Sequence, residues 1–129
     1  VIDGISFQFM QLFENLIGNA IKYRHPDRAP FIRISCSRVH AGELPENLSL
    51  TSSHYYKINV KDNGLGFDPD HAEKIFDLFQ RLHTNERYDG TGIGLAICKK
   101  IVHHHNGFIK ATASPGEGAI FSIFIPARL

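Results

Sequence analysis

A two-layer α/β sandwich, with helices on one face of a mixed, mostly antiparallel sheet, is the fold class this sequence predicts. Three observations predict it. Apolar residues recur at helical spacing over residues 8 to about 24. Four later stretches, 31–39, 55–60, 108–113 and 119–125, alternate at strand spacing. A second helical run, about 93–105, separates those strands into two pairs.

The first helix gathers Phe9, Met10, Phe13, Leu16, Ile17, Ala20 and Ile21 on one face. Its opposite stripe is Gln11, Asn15, Asn19 and Lys22, with Tyr23 at the margin. His25-Pro26 stops it, because a residue before proline is pushed out of the α region. The first two strands are joined by a polar, turn-rich loop, 42–53, to which no chemistry attaches. A short helix is predicted over 69–78, opened by Asp68-Pro69. Residues 80–92 are polar and end in glycines, which predicts a mobile loop. The second helix ends at Asn106-Gly107, a left-handed cap, and Ser114-Pro115-Gly116-Glu117-Gly118 turns the last two strands.

Composition bounds the function. The 129 residues suit one domain, and 43% hydrophobic content with ten Phe suits a packed core. A net charge of +1 gives no field for nucleic acid and no acidic tail for a basic partner. Cys36 and Cys98 stand in no ligand spacing and are expected to be reduced, buried thiols of a cytoplasmic domain. No apolar run approaches a membrane span, so this stretch is not membrane-inserted. The start at Val1, without Met, suggests a piece of a longer parent, which could itself be soluble or membrane-anchored.

Three segments carry chemistry. Asn15-Leu16-Ile17-Gly18-Asn19-Ala20-Ile21-Lys22-Tyr23 puts two amides on one helix stripe. An amide oxygen is a neutral hard ligand suited to Mg²⁺ that already carries triphosphate oxygens. Asn19 is the chosen metal ligand, Asn15 orients water or phosphate, and Lys22 reaches phosphate as a point charge. A solvated polar face is the plain alternative. In Asp62-Asn63-Gly64-Leu65-Gly66, a carboxylate at a strand end can accept from the exocyclic amine of adenine, and the glycines let backbone approach a ligand. Asp-Asn-Gly is equally a common β-turn. Gly90-Thr91-Gly92-Ile93-Gly94-Leu95 opens a helix, whose unpaired N–H groups favour anions. It lacks the dinucleotide spacing and the P-loop lysine, so a lid hinging into a helix suits it.

Together these residues resemble the ATP-binding catalytic domain of bacterial sensor histidine kinases, of the gyrase, heat-shock-chaperone, histidine-kinase and mismatch-repair superfamily with its Bergerat-type sandwich. The match runs from Gln11 to Pro126 and includes a phenylalanine box, Ile75-Phe76-Asp77-Leu78-Phe79-Gln80-Arg81. Phytochrome-like and PAS-linked kinases look most similar. The resemblance implies ATP and Mg²⁺, with Asn19 on the metal and Asn15 beside it, both with Lys22 and Tyr23 at the nucleotide. It implies Asp62 on the adenine amine, Gly64 and Gly66 shaping that pocket, and Gly90, Thr91, Gly92, Ile93, Gly94 and Leu95 over the phosphates. Arg81 would meet the terminal phosphate, and Asn15 and Arg81 are the implied catalytic pair. Phe76 and Phe79 would dock the lid, or simply pack.

Two departures qualify the resemblance. The ATP-hydrolysing branches place a glutamate four residues before the metal asparagine, where this chain has Asn15, with Glu14 rotated about 100° away. Poor hydrolysis by water is expected. The last glycine box, Gly116 to Phe121, offers no Thr or Ser, so any adenine contact there must come from backbone or water. The implied activity is donation of the γ-phosphate to a histidine on a separate dimerisation domain of the same parent, with a response-regulator receiver downstream. Eight histidines are present, but none lies in the acceptor motif, so this chain is not expected to phosphorylate itself. A same-fold ATPase, a serine-kinase regulator of a sigma factor and a degenerate binding module are the alternatives.

Overall fold

The computed structural model describes residues 4–44, 51–77 and 94–127. Helix α1 (Ser6–Lys22) leads into strand β1 (Ile32–His40), and β2 (His54–Asp62) returns antiparallel to it. Helix α2 (Gly94–His104) is followed by β3 (Phe108–Ser114) and β4 (Gly118–Pro126). The strand order is β1-β2-β4-β3, and each pair among the described residues is antiparallel. Both helices contact the sheet and each other, which is the two-layer arrangement the periodicities call for.

The buried seam of α1 is Leu12, Leu16 and Ala20, spaced by four and therefore stacked on one side. Phe9 and Phe13 pack beside it. The expected apolar face is thus rotated, since Met10 and Ile21 are 63% and 48% exposed. Each lies more than about 100° round the helix from Leu16, beyond reach of the sheet and α2. α1 ends at Lys22 rather than 24, with Tyr23 as its cap and an N–H bond to Asn19 O. Its N-terminus has no side-chain cap; instead the Ile5 N–H donates to Nε2 of buried His105 at 3.0 Å. Nδ1 of that imidazole lies 2.8 Å from Ile101 O, so it carries the proton.

Strand β1 corrects a second expectation. Its alternation suggests a half-buried strand, yet residues 33–38 are all exposed, because β1 is the sheet edge, with β2 its one strand neighbour among the described residues; Ile32, at its start, still packs against the core. Cys36 is exposed in consequence, and only Cys98 is the buried thiol foreseen; both are free. Where one helix was expected over 69–78, the described part is two 3₁₀ turns, Pro69–His71 and Lys74–Phe76. The Asp68 carboxylate caps the first, accepting from Asp70 N–H at 2.9 Å. Asn106, at φ 62°, supplies the left-handed end of α2.

Candidate functional site

The end of α1, the turn after β2 and the start of β4 converge on a small pocket. It is lined by Asn19, Ala20, Tyr23, Asp62, Gly66, Phe67, Ala119 and Phe121. Asn19 comes from the last turn of α1, Tyr23 is that helix's C-terminal cap, and Asp62 is the last residue of β2. Ala119 and Phe121 are successive inward positions of β4, and Ala119 stands opposite Asp62 in register. Of the residues singled out from the sequence, Asn19, Tyr23, Asp62 and Gly66 line this one cavity. The apolar walls, Ala20, Phe67, Ala119 and Phe121, were not foreseen as site residues, although period-2 counting along β4 points to the last two.

Asp62 is half-buried, and burial raises its carboxyl above the ordinary 3.8. Backbone N–H groups of Gly64 and Ala119 pull the other way; the first donates to Oδ1 at 2.9 Å. The carboxylate is thus held by backbone on one side and turned to an apolar pocket on the other. Such a group can accept from an amine lodged against Ala119 and Phe121.

Gly64 and Gly66 are there for space. A Cβ on Gly64 would lie 2.6 Å from Tyr23 O. Gly66 has φ +66°, and a Cβ on it would lie 2.2 Å from Ser114 O. Leu65, between them, donates to Tyr23 O at 2.9 Å and accepts from Gly116 N–H at 2.6 Å. The end of α1, the Asp62 turn and the β3–β4 turn are therefore laced together by backbone.

The two asparagines separate in role. The Asn15 amide turns toward α2, donating to Gly94 O at 3.4 Å, and does not line the pocket; the Cys98 thiol nearby donates to Leu12 O at 3.8 Å. Burial pushes that thiol up to about 12, partly offset by Asn15. Asn19 makes no side-chain hydrogen bond to a described residue and lines the cavity, and an amide oxygen is a ligand type that fits a hard cation. Lys22 Nζ lies 5.4 Å from the centre of the Tyr23 ring, within cation–π range and at the pocket's edge. Glu14 is exposed, so Asp62 is the carboxylate that lines this pocket.

Gly94 and Leu95 open α2, with Leu95 buried in the core, so only its backbone could face a phosphate. Phe76 packs edge-on to Phe121 at 6.2 Å and belongs to the core. Arg81, Phe79, Gly90, Thr91, Gly92 and Ile93 lie outside the described residues, as does the whole 80–92 loop. No group of three or more His, Cys, Asp or Glu among the described residues could hold a metal.

Comparison with known proteins follows the same outline. The family described as histidine kinase-, DNA gyrase B- and HSP90-like ATPase matches residues 4–129. Cyanobacterial phytochrome A of Nostoc sp. (strain PCC 7120) is 47% identical over 121 residues, which is 94% of this chain and 14% of that protein. The sensor protein kinase WalK of Staphylococcus aureus is 36% identical over 121 residues, 92% of this chain and 26% of that protein. The chain thus spans a small part of its relatives' length. The nucleotide-free catalytic domain of histidine kinase ThkA superposes with a TM-score of 0.67 at 26% identity, covering 97% of this chain and 71% of that one.

Proposed function

Since this chain belongs to the histidine kinase-, DNA gyrase B- and HSP90-like ATPase family, we propose that it binds Mg·ATP in the pocket beside α1 and donates the γ-phosphate to a histidine on another domain. The observation that carries this reading is the convergence of Asn19, Tyr23, Asp62 and Gly66 on one cavity. Purine fits the apolar end, where the Asp62 carboxylate accepts from an exocyclic amine and so prefers adenine to guanine. The triphosphate runs from there along the polar stripe of α1, past Asn19 and Lys22, toward the start of α2. Mg²⁺, when bound, neutralises phosphate charge, and Asn19 is the residue that would hold it.

Phosphoryl transfer has a loose transition state, so positioning and charge neutralisation supply most of the catalysis. Lys22 contributes a cation near the phosphates, and Arg81, which lies outside the described residues, is assigned the terminal phosphate from the sequence resemblance alone. Asn15, tied to Gly94, holds the α1 stripe to the start of α2. With Asn15 where a carboxylate would activate water, the site keeps ATP for a protein acceptor. The acceptor is a dimerisation and phosphotransfer domain of the same parent, with a response-regulator receiver as the onward partner. The chain is one catalytic domain of that parent, and its free cysteines suit a reducing, cytoplasmic setting. No described helix is long and apolar enough to cross a membrane.

The test is calorimetric titration of ATP into the chain with and without Mg²⁺, then incubation with labelled ATP and a histidine-bearing dimerisation domain. Acid-labile, base-stable label on that domain is the expected result. Asn19→Ala is expected to lose Mg-dependent affinity by ~3 kcal/mol, the scale of one removed stabilising group. Unchanged affinity in that variant, or multiple-turnover phosphate release without acceptor, would defeat the reading.

A further inference from the structure

Asn63, between the carboxylate and the first glycine of the pocket turn, does not line the cavity. A turn-forming role is its obvious explanation, yet the backbone does not need it. The non-glycine residue with positive φ among those described is Asn106, so Asn63 occupies no left-handed position. Its side chain is what the fold uses. Oδ1 accepts from Phe31 N–H at 2.8 Å, and Nδ2 donates to Ala29 O at 3.0 Å. Its own N–H also donates to Phe31 O at 3.3 Å. One amide thus satisfies a donor and an acceptor on a segment more than thirty residues away, a pairing that Asp, Ser or Ala cannot reproduce.

Arg28 acts from the same segment. Its guanidinium Nη2 donates to Gly64 O at 3.5 Å and to Gly116 O. The 28–31 stretch therefore grips the Asp62–Gly66 turn through residues that do not line the pocket. Tyr23 and Gly116 hold the same turn through the backbone of Leu65.

We propose that Asn63 is a positioning residue for adenine recognition: by pinning the turn to Ala29 and Phe31 it holds the Asp62 carboxylate at the pocket, with Arg28 bracing the same turn. The proposal rests on the nucleotide reading above. Neither residue touches ligand, so both act through Asp62 and the glycine backbone.

Titrating ATP and GTP with Mg²⁺ into the wild-type chain and into Asn63→Ala, Asn63→Asp and Arg28→Ala tests it. Asn63→Ala is expected to weaken ATP about tenfold and GTP far less, so the preference for ATP shrinks. Asn63→Asp keeps the acceptor for Phe31 N–H and is expected to fall between. Arg28→Ala should weaken ATP about threefold, one net hydrogen bond's worth. Should Asn63→Ala fail to fold, the aspartate and Arg28 variants decide. ATP affinity within about twofold of wild type in all folded variants would overturn the proposal. So would equal losses for ATP and GTP, the mark of a merely structural residue. A wild-type chain that binds no ATP overturns the nucleotide reading itself, which this design distinguishes.

Discussion

Replacing Gly66 by alanine is expected to destabilise the fold by about 2–3 kcal/mol, whereas the same substitution at Gly18 should stabilise it by about 0.5–1 kcal/mol. The contrast comes from the two environments. Gly66 sits at φ +66°, where an L-residue costs about 1–2 kcal/mol. Lower entropy in the unfolded chain returns about 0.4–1 kcal/mol of that. The decisive term is steric. The new Cβ would lie 2.2 Å from Ser114 O and 2.8 Å from Gly118 O, and both are backbone atoms of a turn already bonded to Leu65. Neither oxygen can swing away as a side chain would, so the turn must shift as a unit. Gly18 lies in the interior of α1, and beyond the helix's own neighbouring backbone nothing comes within 4 Å of an added Cβ, so alanine there gains helix propensity without a clash. Urea unfolding reads both, and Gly66→Ala is expected to lower the midpoint by roughly 1 M or more. Because Gly66 lines the pocket, ATP affinity should fall in that variant too. A Gly66→Ala protein within about 0.5 kcal/mol of wild type, or a destabilised Gly18→Ala, would refute the reasoning.

Asp62→Asn should raise the stability of the nucleotide-free chain at pH 7 while weakening ATP relative to GTP. Burial raises the carboxyl above 3.8, so the native state holds its proton where the unfolded chain has lost it. Wild-type stability therefore falls as pH rises from 3.8 through the folded value, and the asparagine variant should lack that slope in pH-dependent urea melts. A steeper slope in the variant would contradict this account. Alkylation should divide the thiols. Exposed Cys36 is expected to react in the native state, while Cys98, buried and pushed up to about 12, reacts only on unfolding. Mass spectrometry of labelled peptides checks it, and rapid native labelling of Cys98 would show that α2 opens.

The sequence by itself determined the element order, the helix periods, the caps at Asp68 and Asn106, and the residue types of a nucleotide pocket. These are local properties. A period of 3.6 or 2 and a short polar side chain act within one turn, so they are legible in one dimension. What tertiary structure decided was which side of each element finds a neighbour. The same alternation that buries Ala119 and Phe121 in β4 leaves Ile34 and Cys36 in the open on β1, because β4 is central and β1 is an edge. Asn15 and Asn19 share a stripe, yet α2 captures the first and leaves the second to the cavity. Asn63 reads as a turn residue until its amide is seen bonded to Ala29 and Phe31. Burial and long-range hydrogen bonds depend on atoms brought together from distant parts of the chain, and no local pattern carries that information.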